Sequence, residues 1–149
     1  MNAACLLVRV DSRTCALPID FVYEIMRPLP IESLAGMPAF VLGLSVVRGA
    51  PVPVVDASRM LGGGVSARPG RFVSVRIGAR GAILAVDEVL GVRDVARSSL
   101  DALPPLMGEA SADLVDAMGT LDAGLLLLLK SSRMVPASVW TTLERENAS

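Results

Sequence analysis

Apolar residues in this chain come in short runs, repeatedly cut by Gly, Pro and Asp. Runs of that length, bounded by turn formers, predict strands rather than helices. Ala4 to Val10 reads as a strand, and Thr14 to Pro18 as its partner across a turn at Asp11-Ser12-Arg13. Phe21 to Met26 reads as a further strand of bulky side chains. Arg27 to Pro38 carries three prolines and a glycine, which predicts a loop with little regular pairing. Phe40 to Leu44 is expected to start as a helical turn before Ser45 to Arg48 extend into strand. Gly49-Ala50 should turn the chain, and Pro51 and Pro53 should keep Val52 to Val55 at an edge or a strand start, because proline has no N–H to give a ladder. Asp56 is a natural N-cap for a short helix over Ala57 to Leu61. Gly62-Gly63-Gly64 should end that helix, with Val65 to Gly70 as a connector.

The second half repeats this style. Arg71 to Ile77 and Ala82 to Val86 flank Gly78-Ala79-Arg80-Gly81, a hairpin signature. Asp87 to Val95 has strand or bulge character with Gly91 at its bend. Ser98 is expected to cap a brief turn towards Pro104-Pro105, and Met107 to Asp116 is expected to be an irregular loop or helical turn. Gly119 to Leu121 and Leu125 to Leu129 frame a turn at Asp122-Ala123-Gly124, and the leucine run fits a strand buried on both faces. A C-terminal helix is expected from about Pro136 to Glu146, with Val135, Val139, Trp140 and Leu143 on one stripe. Many short strands with little helix argue for an all-β barrel or pair of barrels.

Composition narrows the function more than the fold. With 149 residues, of which 52% are hydrophobic, the chain can build one domain or two small subdomains sharing a core. Aromatics are 3%, so Val, Leu, Ile and Ala must fill that core. A formal net charge of -1 and no base-stacking cluster exclude a nucleic-acid footprint. Histidine is absent, which removes the commonest general base and the commonest metal ligand. Cys5 and Cys15 flank the first turn. If it closes a hairpin, Cys15 faces about Arg9, too far along the ladder from Cys5 to bridge. Both are read as reduced core thiols of a cytoplasmic protein. No basic and apolar leader precedes Cys5, and no apolar run approaches the ~20 residues of a membrane span.

The remaining chemistry is sparse. The glycines at 62–64 follow a helix instead of feeding one and lack a following lysine, so they read as a cap and connector, not a phosphate cradle. Asp87 and Glu88 are adjacent on a strand and point to opposite faces. Ser45, Ser74 and Ser131 have no imidazole to activate them. No cofactor or metal is expected. Glu24 and Arg48 differ, because each ends an apolar run where a buried strand would carry no charge. From the residues alone they are either two unrelated solvated charges or a partly exposed pair on a docking surface.

Several segments resemble the CheW family of chemotaxis adaptors. L-P-I-D-F-V-Y-E-I (Leu17 to Ile25) is similar to that family's early strand. P-A-F-V-L-G-L-S-V-V-R-G (Pro38 to Gly49) is similar to its central signature, and P-V-P-V-V-D-A-S-R-M-L (Pro51 to Leu61) to the strand and helix that follow. A-V-D-E-V-L-G-V-R-D-V (Ala85 to Val95) and the leucine run also fit. Val46-Val47 stands where the commonest signature has Asn-Leu, and Lys130 where a polar or acidic residue often stands. The resemblance implies two small five-stranded barrel subdomains packed together: one spanning roughly 12–61 plus terminal segments, the other roughly 68–130, in a single domain of 1–149.

The resemblance also implies a function. Such a protein is a non-enzymatic adaptor that couples the cytoplasmic tip of a chemoreceptor to the regulatory domain of a CheA-type histidine kinase. Val22, Glu24 and Arg48 match positions that form or border the receptor-facing surface, with Glu24 and Arg48 as the family's charged pair. Leu44 and Val46 join the partner-binding set, and Val86 is expected on the second-barrel side of a groove that takes the receptor helix. Alternative expectations are a module of a non-flagellar pathway, such as one controlling type IV pili, or a ligand-binding barrel.

Overall fold

Short turns dictate the pairing of the strands. In the computed structural model, which describes residues 2–61, 63, 70–77, 79–96, 100–101, 115–121, 124–129, 135 and 139–141, β1 (Asn2–Val10) pairs antiparallel with β2 (Arg13–Pro18). The connection is two residues, Asp11-Ser12, closed by the pair Val10↔Arg13. Asp11 has φ +57°, a conformation that Asp tolerates better than most residues. This turn is one residue shorter than the sequence suggested, so Cys15 faces Val8 and not Arg9. Cys5 lies opposite Pro18; neither cysteine is in a disulfide and both are buried, as expected.

A 3₁₀ turn over Ile19–Phe21 leads into β3 (Val22–Met26). The proline-rich segment after it is irregular, with an isolated backbone bridge to the sheet at Glu32↔Leu44. β4 (Val41–Val47) and β5 (Ala50–Asp56) form the next hairpin, followed by α1 (Ala57–Met60). The expected helical turn at Phe40 to Leu44 is strand from Val41 onwards. The turn lies earlier, closed by the Val41 N–H donating to the Pro38 carbonyl at 3.0 Å. Asp56 caps α1 as expected, accepting from the Ser58 N–H at 3.0 Å. Pro51 and Pro53 pair only with β4, because β5 meets a second strand, in parallel, only from Val54 onwards. Proline is tolerated on that open flank, where no ladder bond is demanded of it.

β6 (Arg71–Ile77) and β7 (Arg80–Val86) are joined by a two-residue connection closed by Ile77↔Arg80, tighter than the expected turn from Gly78 to Gly81. β8 (Glu88–Ala96) carries the expected bulge, at Leu7/Val8 against Gly91 and Val89, with Gly91 at φ +118°. β9 (Leu100–Asp101), β10 (Val115–Leu121) and β11 (Gly124–Leu129) complete the strands. The leucine run is strand, flanked by β10 on one side and by β2, in parallel, on the other. Near the C-terminus Val139 to Thr141 are helical. The rest of the expected helix, Ser98, Pro104-Pro105, most of Met107 to Asp116 and the connector at 65–69 lie outside the described residues.

The strands form a six-stranded sheet, ordered β8-β1-β2-β11-β10-β9, and a five-stranded sheet, ordered β3-β6-β7-β5-β4. The expected division near residues 61–68 is not where the sheets part. The five-stranded sheet uses strands from Val22 to Val86 without interruption, while the other combines both flanks of the chain. A core joins them: Leu6, Val8, Val10 and Leu17 from one sheet meet Val55, Val73, Val75 and Leu84 from the other. A second cluster of Val54, Phe72, Ile83 and Ala85 fills the opposite side of the five-stranded sheet, under Met26, Leu42, Val47 and Val52. Fully burying an aliphatic or aromatic side chain contributes about 1.5–3 kcal/mol. Phe72, at 0% exposure, is therefore the single largest apolar anchor of the second cluster.

Candidate partner-binding surface

The β4–β5 hairpin turns through two residues, Arg48 and Gly49, closed by Val47↔Ala50. Both central residues have positive φ, +49° and +80°, the type I′ pattern that suits the twist of paired strands. Glycine adopts this freely. Arginine does not: a side chain in the left-handed region costs roughly 1–2 kcal/mol. Strain of that kind persists where it positions a functional group.

The group positioned is a guanidinium. Arg48 Nη2 donates to Glu24 Oε2 at 3.0 Å. Glu24 sits on β3, and Arg48 follows β4, the strands at opposite ends of the five-stranded order. The sheet is thus curved enough for its two edges to be bridged by one ion pair. With side chains 63% and 31% exposed, the pair contributes only about 0–1 kcal/mol, so stability does not explain it.

A bulge in β3 completes the arrangement. Val22 pairs with Val75 and Glu24 with Ser74, which leaves Tyr23 as the extra residue. On a regular strand Tyr23 and Glu24 would point to opposite faces. The bulge re-aims them, so both reach Arg48, whose guanidinium carbon lies 5.5 Å from the Tyr23 ring centre. Arg76 of β6 stacks on the same ring at 5.1 Å. Tyr23 is 56% exposed, and Ile25 and Val46 nearby in the chain are also exposed.

The residues singled out from sequence therefore divide. Glu24 and Arg48 are in contact, and Val46 is exposed on the strand that leads to Arg48. Leu44 is half-buried, its backbone exchanging two 2.8 Å bonds with Glu32, while the Ser45 hydroxyl beside it donates to the Pro30 carbonyl at 2.8 Å. These bonds dock the proline-rich segment on β4. Val22 is half-buried and packs on the core between the sheets. Val86 is 2% exposed within that core, so it does not line an open groove. Its alternation with Ala85 on a strand buried on both faces leaves it no route to the surface. Tyr23 and Arg76 were not singled out. Arg76 follows the apolar Phe72-Val73 and Val75, the same signal that drew attention to Glu24 and Arg48, and the bulge that enlists Tyr23 leaves no mark in the sequence.

Nothing among the described residues gathers into a reactive centre. No group of three metal-ligating side chains forms, and the buried side-chain polar atoms all have partners. Burial pushes the Cys15 thiol up to about 12, which makes it inert at neutral pH. No helix among the described residues is long and apolar enough to cross a membrane.

What remains is a shaped, charged surface on a β scaffold, and comparison with known proteins shows the family of that scaffold. The model of the CheW-like domain matches residues 4–138. The chain belongs to the CheW-like family of chemotaxis adaptors. This CheW-like chain is 32% identical over 136 residues to Protein FrzA of Myxococcus xanthus, covering 84% of each protein. Its fold is that of the scaffolding protein TtCheW from Thermoanaerobacter tengcongensis, with a TM-score of 0.78, 22% identity, and coverage of 91% of this chain and 98% of that one. The CheW-like fold explains the paired sheets, and membership explains an adaptor role in chemosensory signalling.

Proposed function

We propose that this protein is a non-catalytic cytoplasmic adaptor that couples a chemoreceptor's cytoplasmic tip to the regulatory domain of a CheA-type histidine kinase, docking through the surface around Glu24 and Arg48. The observation that carries the reading is the strained, exposed Arg48, tied to Glu24 across the two sheet edges at 3.0 Å. A conformation that costs stability, spent on a pair that adds little back, is accounted for by a partner that reads it. Exposed Tyr23 beside Arg48 pairs two residue types enriched in binding hot spots, and exposed Ile25 and Val46 add apolar surface. Family membership supports the adaptor role, and the resemblance over residues 15–61 supports the choice of partners.

The test is a titration of the protein against the regulatory domain of each CheA-type kinase of its own organism. Saturable one-to-one binding, about micromolar or tighter, is expected with one of them, and it also identifies the pathway. Arg48→Glu should weaken receptor-dependent kinase control while leaving the circular dichroism spectrum unchanged. Unaltered coupling in that variant would remove Arg48 from the docking surface; a folded protein that binds none of the kinases would overturn the reading.

A further inference from the structure

Beside the Glu24–Arg48 pair lies an open hollow of about 220 Å³. Its walls include three arginines, Arg48, Arg76 and Arg80, together with Tyr23, Val47 and Val52, and its lining contains no carboxylate. Each guanidinium is held against something flat or charged. Arg48 is fixed by Glu24 and Tyr23, Arg76 by the Tyr23 ring, and Arg80 by the Trp140 ring at 4.9 Å. Arg76 makes no ion pair among the described residues. A chain whose formal net charge is -1 has thus gathered cations at one spot, against its overall balance.

Stacking matters for what such a spot can bind. A planar guanidinium lying on a ring has already given up much of its rotational freedom and still presents its N–H edge. That edge fits a carboxylate in two-pronged fashion, with charge-assisted bonds about twice as strong as neutral ones. The hollow is smaller than the roughly 300–1,000 Å³ of a pocket for a drug-sized ligand or cofactor. It suits a side chain instead. Val47 and Val52 offer apolar wall for an aliphatic stem, and the arginines offer its charged end. A single exposed aromatic makes no platform for nucleic-acid bases.

We propose that this hollow receives an acidic side chain, a glutamate above all, from the protein segment that docks beside Glu24 and Arg48. Recognition of acidic segments by arginine clusters is an established mode of peptide docking. The proposal rests on the adaptor reading for the existence of a protein partner; the preference for a carboxylate rests on the hollow itself. Glu24 then has a second role. It neutralises Arg48 in the free protein, and it leaves Arg76 as the cation most available to the incoming acid.

The experiment uses the full chain, labelled with ¹⁵N, and a synthetic helical peptide carrying glutamates four positions apart, with its glutamine counterpart as control. The glutamate peptide should shift the amide signals of Tyr23, Arg76 and Arg80 saturably, and the glutamine peptide should not. Arg76→Glu should weaken the binding by about tenfold or more, the equivalent of one charge-assisted bond, with its melting temperature as the check on folding. Arg76→Lys, which keeps the charge but loses the fork, should fall between. Equal shifts from both peptides, or shifts spread equally over the distant Arg9 and Arg93, would overturn the proposal. Inorganic phosphate matching the glutamate peptide at equal concentration would reduce the hollow to a general anion site and overturn it as well. Binding to anionic phosphatidylglycerol vesicles that Arg76→Glu abolishes, with no effect of the glutamate peptide, would assign the hollow to a membrane instead. The kinase titration is independent of this peptide arm: the peptide can fail while the kinase binds, which sinks the hollow and spares the adaptor.

Discussion

Arg48→Asn separates the cost of the hairpin conformation from the use made of it. At φ +49° the native arginine sits in the left-handed region, and Asn followed by Gly49 is the preferred dipeptide of this turn type. Relief of that strain returns about 1 kcal/mol, the low end of its range because Asn is not wholly free of it. Against this stands the lost ion pair, worth about 0–1 kcal/mol for an arginine that is 63% exposed. The lost contact with the Tyr23 ring adds about 0.5–1 kcal/mol at an exposed site. The sum lies within about 1 kcal/mol of zero, a shift in melting temperature of no more than about 4 °C for a chain of this length. Urea unfolding and calorimetry would measure it, beside isothermal titration with a soluble fragment of the chemoreceptor's cytoplasmic tip. We expect near-native stability and binding weakened at least about tenfold. A loss of about 3 kcal/mol would show that Arg48 holds the fold together, and the functional account of its strain would be refuted. Native stability with native affinity would refute it from the other side.

Three further substitutions and reagents probe the scaffold. Gly43, at φ +143°, lies where an added Cβ would overlap the Glu32 carbonyl. Gly43→Ala should therefore break the paired 2.8 Å bonds between Glu32 and Leu44 and destabilise the protein by about 2–4 kcal/mol in urea titrations; a change under about 1 kcal/mol would show that the segment shifts freely. With its thiol pushed up to about 12 by burial, Cys15 should not react with a disulfide reagent at pH 8 until denaturant is added, and rapid labelling of the native protein would contradict the packing. Burial also raises Asp56 above the usual 3.8, so the folded state holds that proton more tightly. Its contribution to stability is then fully present below the unfolded value and is lost as pH rises through the folded one. Asp56→Asn keeps an acceptor for the Ser58 N–H and removes this loss, so the variant should gain on the native protein as pH rises above 3.8 in urea melts; a pH-independent difference would count against it.

The strands were legible because Gly, Pro and Asp punctuate them, and because a two-sided buried run such as Ala82 to Val86 leaves no other reading. Turn lengths were harder. The Asp11-Ser12 and Gly78-Ala79 connections each came out tighter than the residues suggested, and a one-residue change in a turn moves every partner on the following strand. The helical turn expected over Phe40 to Leu44 was a further miss: the segment has no β-branched run long enough to argue for strand, and pairing of Val41, Gly43 and Leu44 with Val55, Val54 and Pro53 decided the matter. For the surface, isolated charges in apolar sequence found Glu24 and Arg48 but not their ring. Tyr23 joins them through a bulge, and a bulge is a property of two strands together. Val86 was expected at a groove from the resemblance alone, and the structure buries it in the core between the sheets.

The placement of the sheets bears on how the chain folds. Strands from Val22 to Val86 form one sheet without help from elsewhere in the sequence, as an insertion between β2 and β8. The other sheet needs β1 to find β8 and β2 to find β11, partners separated by most of the chain. During synthesis from the ribosome, all five strands of the nested sheet emerge before β8 and β11, so β1 and β2 wait for their outer ladder partners. Long waits for distant partners slow folding and invite association. The surface around Arg48 belongs to the nested sheet, while the core beneath that sheet is completed by residues from both flanks of the chain.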